Sequence, residues 1–550
     1  MKLEKIIGFI GKFLLITLFA AYLMVAVGWI LGFNIINFVL PVVFSIFSFA
    51  LFYYRIKFSI SKNESYVIVV SSISLISCSL FAASLWWDCI GDGPWYHQPI
   101  IYSLMQGWNP DYEMAPFSDT SNYLWINHYA KGAETSSAIM TSFTNNIELG
   151  KASGLLFVVI LWCFLFEFLS SYLKNTKKHI IICLSILFTA CPVVICQIMT
   201  FYIDFYLYIF FTICLINLYN IEMRNEKSSY LWIGIILALS ISFKFNFAFW
   251  ISLILLIYAA TLIIRKQWDK LRKGVLVGII GGITGLCILG FNPYISNIRD
   301  GHHLLYPLVG DGNVDIIDHQ TPKALKGMNR IEAVFASLSC RPTLNESYAH
   351  PYTFSRFTRN NLRAAGYYDI RVGGFGFFYF EILLISFFLI CVAKYKDKKV
   401  YYSFVGIELL LFSFLFILPA GWWARYVGFF YLFPCIALMY VFKYGSRIKI
   451  APRILLVLLI INIANTSYTA VSYTLKKSNR MKVFVKELKK AEPVRIKASY
   501  FGFKHKLDEY NINTTPCDTA SFKLIFDGDI RVVEKDMQWS DLCKNYILNP

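Results

Sequence analysis

The chain has 550 residues, of which 57% are hydrophobic and only 16% are charged, and its mean hydropathy is +0.54. A water-soluble domain of this size does not need so many apolar residues for its core, so the composition excludes a soluble protein and indicates a multi-pass membrane protein. The formal charge of +18 comes largely from Lys and Arg in short segments between apolar runs, where they orient helices and contact anionic lipids. We therefore expect no nucleic-acid partner.

Apolar runs predict an all-α fold with about 13 transmembrane helices. The runs lie near 6–30, 35–54, 66–86, 152–173, 179–199, 201–220, 230–243, 246–264, 274–291, 376–393, 401–420, 424–442 and 453–472. The short run 230–243 and the run that follows residues 244–246 form either two tilted spans or one hairpin. We divide the chain into two leading helices within 1–65, a transmembrane core over 66–474 and a tail over 475–550.

Basic clusters between the runs predict the orientation of the chain. If the N-terminus is cytoplasmic, as Lys2 and Lys5 suggest, every basic cluster falls on the cytoplasmic side of a plasma or inner cell membrane. The clusters are Arg55/Lys57/Lys62, Lys174/Lys177/Lys178, Arg224/Lys227, Arg265/Lys266/Lys270/Arg272/Lys273, Lys394/Lys396/Lys398/Lys399 and Lys443/Arg447/Lys449. The segments 87–151 and 292–375 and the tail 475–550 are then external.

The external segments are predicted to be folded. Aromatic residues in 87–151 favour short helices that lie on the membrane surface and cap a cavity, and Pro and Gly at both ends of 292–375 indicate a loop that re-enters the bundle. The tail predicts a small external α/β appendage, with a helix over 481–491, strands over 494–501, 522–526 and 530–533, and a turn at 527–529. A disulfide between Cys517 and Cys543 stays open.

The stretch from Trp86 to Pro99 carries the first candidate site, because two carboxylates and an imidazole follow directly on an apolar run. Acidic groups are costly at the rim of a membrane helix and are often retained for a site. We select Asp92 as a catalytic base, since it lies within a Gly/Pro-shaped turn, whereas Asp88 continues the helix and is expected to face water. The alternative for Asp92 is a helix cap. Tyr96 and His97 follow about one turn later and can face the same cleft, with a structural role open for His97.

Charged residues at the other external turns are candidate substrate-binding groups. Lys244 and Arg425, which is followed by Tyr426, can hold an anionic lipid head group, or they can snorkel to ordinary lipids. Asp204 can orient an acceptor, bind a divalent cation, or pair with one of these cations. His302 and His303 are weaker candidates. No Cys/His spacing predicts a metal site, no cofactor is firmly expected, and the absence of GxxxxGK[ST] argues against ATP-driven transport.

The order of these motifs resembles that of the GT-C glycosyltransferases, such as the protein O-mannosyltransferases and lipid A aminoarabinose transferases. The segment Asp92-Gly-Pro-Trp-Tyr96-His97, followed by Gly107-Trp-Asn-Pro110, is similar to the first external loop of that family. The resemblance extends over 66–445 through Tyr202-Ile-Asp204-Phe, Lys244 and Trp422-Trp-Ala-Arg425-Tyr426. Many members carry two adjacent acids in the first loop, whereas Gly93 follows Asp92 here, so either Asp88 or Asp92 corresponds to the base.

The resemblance implies an inverting transferase that moves a sugar from a polyprenyl-phosphate donor to a glycan, lipid or protein acceptor on the outer face. Asp92 would deprotonate the acceptor, Lys244 and Arg425 would stabilise the departing phosphate, and the loop 292–375 would enclose the site. A lipid-linked glycan flippase should instead carry charges near mid-membrane or show related halves. An O-antigen-type polymerase or ligase stays open because the large loop carries Arg330, Arg341, Arg356, Arg359, Arg363 and Arg371.

Overall fold

The computed structural model describes residues 2–89, 91–116, 122–144, 146–310, 314–344, 358–395, 397–490, 494–496, 501–516, 523–525 and 530–533. The first helices are α1 (Leu3–Ile30), α2 (Ile36–Tyr54), α3 (Lys62–Ser84), α4 (Gln98–Met105), α5 (Tyr123–His128), α6 (Gly132–Thr141), α7 (Ala152–Tyr172), α8 (Lys178–Thr189), α9 (Pro192–Gln197), α10 (Phe205–Arg224) and α11 (Ser229–Phe243). The remaining helices are α12 (Phe245–Ile264), α13 (Trp268–Ile283), α14 (Ser296–Arg299), α15 (Ile316–Gln320), α16 (Arg330–Ser339), α17 (Arg359–Ala364), α18 (Tyr379–Val392), α19 (Lys398–Phe414), α20 (Leu432–Tyr444), α21 (Ala451–Lys490) and α22 (Phe501–Glu509).

The prediction of a helical multi-pass membrane protein is confirmed, whereas the count of 13 transmembrane helices stays a prediction. Among the described residues, eight helices are long and apolar enough to cross a membrane, and four shorter apolar helices accompany them. Each predicted apolar run overlaps a helix, but the run 179–199 is divided between α8 and α9, and in the run 424–442 the helix α20 begins only at Leu432. Pro192 explains the break, because its ring cannot continue a helix but fits the first turn of the next one. The runs on either side of Lys244 form two separate helices, α11 and α12, since Lys244 itself is extended.

Two helices, α10 and α12, separate candidate site residues from basic clusters. Asp204 directly precedes α10, which ends at Arg224, and Lys244 directly precedes α12, which is followed by Arg265. A helix of 20 residues is about 30 Å long, so the two groups of residues lie at opposite ends of the bundle. At the basic end Arg265 Nη1 lies 3.0 Å from Glu222 of α10.

Further contacts join the basic loops to one another. The Lys443 ammonium lies 3.7 Å from the centre of the Tyr172 ring, and the Lys394 N–H donates to the Gly445 carbonyl at 3.0 Å. These contacts bring the segments next to the ends of α7, α18 and α20 together, so the basic clusters of these three segments share an end of the bundle. The assignment of that end to the cytoplasm stays a prediction.

The core is built around α7, α10 and α11. Helix α1 packs along α7 and also contacts α2 and α3, while α10 contacts both α7 and α11. Phe157, Tyr206 and Phe210 form a group of edge-to-face rings around Phe243 at the end of α11. Such ring pairs add packing energy beyond burial, and here they fix the end of α11 immediately before Lys244.

The C-terminal part combines helices and four short strands. The predicted span 453–472 and the predicted helix 481–491 form the single helix α21, since no Gly or Pro interrupts 453–490 after Pro452 in the first turn. The strands β1 (Val494–Ile496), β2 (Thr514–Pro516), β3 (Lys523–Ile525) and β4 (Ile530–Val533) form a sheet in the order β2-β1-β4-β3. Strands β1 and β2 are parallel, and β4 is antiparallel to both of its neighbours, which matches the predicted hairpin over β3 and β4.

Helix α22 was not predicted from the sequence, and it attaches the C-terminal part to the membrane core. It packs against α4 and against the turn 93–97, with Lys506 in a buried ion pair with Glu148. Glu509 accepts a hydrogen bond from the Ile147 N–H at 2.9 Å. Cys517 and Cys543 lie outside the described residues.

Candidate functional site

Asp92 begins a short π-helical turn, Gly93–His97, that follows a left-handed glycine. Gly91 has φ +57°, and a Cβ there would overlap the Tyr202 hydroxyl, so only glycine fits this position. The Asp92 side chain makes no capping hydrogen bond, although its backbone N–H donates to the Tyr202 hydroxyl at 3.3 Å. The capping alternative is therefore not what the structure shows, and the carboxylate faces Arg425 instead.

Arg425 brings three carboxylates together. Its Nη1 atom lies 3.4 Å from Asp92, 3.7 Å from Asp204 and 3.4 Å from Asp369. The guanidinium lies 4.0 Å from the centre of the Trp423 ring, and this contact holds its plane. With Lys244, which is paired with Asp204, these residues form what we call the charge cluster: Asp92, Asp204, Lys244, Asp369 and Arg425.

Backbone contacts position the two cations. The Tyr426 carbonyl accepts hydrogen bonds from Asn246 Nδ2 at 3.2 Å and from Trp250 Nε1 at 3.1 Å. Both donors belong to the first turns of α12, so the turn that carries Arg425 is joined to the helix that begins after Lys244. The Lys244 ammonium also lies 5.0 Å from the centre of the Tyr426 ring.

The carboxylates of the charge cluster differ in exposure. The Asp204 side chain is 2% exposed, whereas that of Asp92 is 24% exposed. Burial alone would raise the pKa of Asp204, but Lys244 and Arg425 hold it below its ordinary value, so this carboxylate is ionised and paired. Pairing is thus the interpretation of Asp204 that the contacts support, and Asp92 is the carboxylate with the most room for an acceptor.

Asp369 was missed in the sequence. It precedes the apolar run 376–393, so the rule that selected Asp92, an acid at the rim of a membrane helix, applies to it as well. Gln197 connects it to Asp204, because Gln197 Nε2 donates to Asp204 at 3.5 Å and to the carbonyl of Tyr368 at 3.2 Å.

A cavity of about 1020 Å³ borders the charge cluster. Lys244, Tyr96 and Tyr426 line it on the side of the cluster. Much of the opposite wall comes from the segment 292–375, including Leu305, Leu308, Leu325 and Met328. The predicted enclosing loop therefore contributes directly to a largely apolar cavity.

His97 is paired with a second acid that sequence reasoning missed. Its Nδ1 atom lies 2.5 Å from Glu134 Oε1, and both side chains are buried. Glu134 also lines the cavity, and its Oε2 atom has no hydrogen-bond partner among the described residues. Gly132 places Glu134 here, because its lack of a side chain lets α6 approach Phe243 closely.

Asp88 does not face water as expected. Asp88 is only 2% exposed, and its Oδ2 atom accepts a hydrogen bond from the Phe201 N–H at 2.7 Å. The expectation was wrong because the sequence cannot show that the turn 200–204 covers this carboxylate. Asp88 therefore acts as a structural acceptor, and it is not part of the charge cluster.

The two loop histidines lie in a separate ring cluster. His302 stacks on Tyr306 with ring centres 4.0 Å apart and meets His128 edge to face at 5.4 Å. His303 contacts the same tyrosine at 6.0 Å. Neither histidine lines the cavity, although Leu305 beside them does.

Asp111 gives a prediction about pH and stability. Burial raises the pKa of this carboxyl to about 7, and its Oδ2 atom has no hydrogen-bond partner among the described residues. Because the folded pKa is raised, the stability that this group contributes is complete below about pH 4 and is lost as pH rises through 7. Asp111→Asn is expected to gain up to about 4 kcal/mol of unfolding free energy relative to wild type between pH 4 and pH 8.

Thermal unfolding of the detergent-purified proteins at pH 5 to 8 checks this. Asp269→Asn is the control, because Asp269 is an exposed acid in the first turn of α13. Burial lowers the pKa of Lys131 to about 7. Its effect on stability therefore falls in a separate pH range, from 7 to about 10.5. Parallel stability profiles for Asp111→Asn and wild type would contradict the prediction.

No group of three or more His, Cys, Asp or Glu side chains among the described residues is arranged to hold a metal ion. Comparisons with family models, with curated proteins and with solved structures each return no match to this chain.

Proposed function

We propose that this membrane protein is a glycosyltransferase of the GT-C type, which transfers a sugar from a polyprenyl-phosphate donor to a glycan, lipid or protein acceptor. The observation that carries the proposal is the convergence of Asp92, Lys244 and Arg425, which are far apart in the sequence, beside a large apolar cavity. Transfer from a lipid phosphate requires a base for the acceptor, cations for the departing phosphate and an apolar cavity for the lipid.

Asp92 is the base in this mechanism. It takes the proton of the acceptor hydroxyl or amine as that oxygen or nitrogen attacks the anomeric carbon. The bond between this carbon and the phosphate oxygen breaks, the phosphate leaves with the electron pair, and the configuration inverts. A positioned general base contributes about 10²–10⁴-fold to such a rate.

Arg425 and Lys244 receive the departing phosphate. The carboxylates contact Arg425 at Nη1, while its Nε atom is buried and has no hydrogen-bond partner in the described part of the chain. We assign this unused donor to a phosphate oxygen, because the donors of Arg are fixed in one plane and suit phosphate. Lys244 lines the cavity and adds a second positive charge.

The cavity accommodates the lipid and the sugar. Its volume of about 1020 Å³ lies at the upper end of the usual range of about 300–1,000 Å³ for small-molecule sites. Apolar residues of the segment 305–333 provide a surface for isoprenoid units, whereas Glu134 and Lys244 provide polar groups on the side of the cluster.

Two of the six loop arginines contact other parts of the protein, which favours this proposal over an O-antigen-type polymerase or ligase; Arg356 lies outside the described residues. Arg341 is paired with Glu381, and Arg330 donates to the carbonyls of Phe416 and Ile417, so both fasten the loop to neighbouring segments. The charge cluster also lies at one end of α10 and α12 and not midway along them, which differs from the arrangement expected of a flippase.

Binding of polyprenyl phosphate tests the proposal. Native mass spectrometry of the detergent-purified protein should show tighter binding of polyprenyl phosphate than of the uncharged polyprenol of equal length. Lys244→Gln should weaken phosphate binding about tenfold, since it removes a charge from the site. Lys449→Gln, at the opposite end of the bundle, is the matched control and should bind like wild type. Equal binding of the phosphate and the alcohol would overturn the proposal.

A further inference from the structure

The charge cluster contains three carboxylates and only two cations. Asp92, Asp204 and Asp369 all contact Arg425 Nη1, and Lys244 is paired with Asp204. If every group were ionised, the cluster would carry one net negative charge. An anionic phosphate that enters beside such a cluster meets repulsion that is weakly screened in a buried site.

Asp369 is the carboxylate of the charge cluster whose negative charge is compensated least. Its Oδ1 atom is buried and accepts no hydrogen bond from the described residues, although it lies 3.4 Å from Arg425. Arg371, from the same segment, is hydrogen-bonded to Gln320 and lies over the Trp423 ring. Asp204 has Lys244 as a direct partner, and Asp369 has no lysine in the cluster.

Some of the charged and titratable groups that face Asp369 raise its pKa, and others lower it. Burial raises the pKa of Asp369 above its ordinary value, Arg425 and Arg371 lower it, and Asp92 and Asp204 raise it further. The neighbouring hydroxyl groups belong to Tyr202, Tyr368 and Tyr426, and Lys244 lies across the cluster beside Asp204.

We propose that Asp369 holds a proton when an anionic phosphodiester is bound at Arg425, so that donor binding is coupled to protonation of this residue. The inference rests on the proposed function and adds a fourth functional residue to it. With Asp369 neutral, the two cations balance Asp92 and Asp204, and the added phosphate contributes the only uncompensated charge. Asp204 cannot take this role because Lys244 keeps it ionised, and Asp92 must be ionised to act as a base.

A synthetic polyprenyl phosphodiester separates this coupling from titration of the ligand, because a diester carries one negative charge throughout pH 5 to 9. Wild-type protein should bind it about tenfold more tightly at pH 6 than at pH 8.5, since binding gains from one proton taken up. Asp369→Asn should bind it with nearly the same affinity at both pH values, and more tightly than wild type at pH 8.5.

Two further variants make the test specific. Asp300→Asn removes an acid that lies outside both the charge cluster and the lining of the cavity, and it should keep the pH dependence of wild type. Asp369→Glu restores a titrating acid and should restore the pH dependence, which a merely structural role of Asp369 would not explain. Thermal unfolding shows whether each variant is folded.

The possible failures are distinguishable. Binding by wild type that does not change with pH, or the same pH dependence in Asp369→Asn and wild type, overturns the role of Asp369 and leaves the proposed function intact. Failure of wild type and Asp300→Asn to bind the diester at any pH overturns the proposed function, and the role of Asp369 with it.

Discussion

Asp92→Asn is expected to lower sugar transfer at least about 100-fold, because an amide cannot take the acceptor's proton. The variant keeps the size of the side chain, and Arg425 retains its contacts with Asp204 and Asp369, so folding should change little. The measurement is turnover of a polyprenyl-phosphate-linked sugar by the purified variant, together with its thermal unfolding and membrane yield.

Two controls accompany this variant. Asp300→Asn removes a carboxylate from a loop outside the charge cluster and should transfer at the wild-type rate. Asp88→Ala removes the acceptor of the Phe201 N–H, so it should lower stability and leave the pH dependence of turnover unchanged. Wild-type turnover by Asp92→Asn would show that Asp92 is not the base and that a neighbouring acid has this role.

Substitution of Arg425 is expected to have the second large effect. Arg425→Ala leaves the carboxylates of Asp92 and Asp369 without their partner, and breaking a buried ion pair in this way costs about 3–5 kcal/mol. We therefore expect this variant to unfold at a clearly lower temperature and to show no transfer.

Arg425→Lys separates the charge from the geometry. Lysine keeps the positive charge but cannot supply donors fixed in one plane, so the variant should fold while its KM for the donor rises about tenfold or more. Arg447→Lys, in the basic loop after α20, is the matched control. A donor KM equal to that of wild type in Arg425→Lys would show that the guanidinium does not hold the phosphate.

The helices could be predicted from the sequence because apolar runs report burial in lipid directly. The run 179–199 was divided because Pro192 interrupts it, and α21 was longer than predicted because its polar half has no helix-breaking residue. Helix α22 was missed since it depends on the buried pair between Lys506 and Glu148, which are 358 residues apart.

The candidate site was predicted in part, for a related reason. Asp92, Asp204, Lys244 and Arg425 each occupy a turn at the end of an apolar run, so their shared end of the bundle follows from counting spans. Glu134 lies in a short helix, and only its contact with His97 marks it as a candidate site residue. Likewise, the burial of Asp88 depends on the turn 200–204, and no local pattern shows which segment will cover a side chain.

The measurement that bears most directly on the charge cluster as a transfer site is product release in proteoliposomes. Purified protein would be supplied with a total extract of host membranes, which contains both polyprenyl-phosphate-linked sugars and the glycan, lipid and protein acceptors, and the polyprenyl phosphate released would be quantified by mass spectrometry. We predict that wild type releases one polyprenyl phosphate for each sugar transferred, with inverted anomeric configuration, and that Asp92→Asn and Arg425→Lys release far less. Equal release by wild type and Asp92→Asn, or no release above that of protein-free liposomes, would contradict the proposed function.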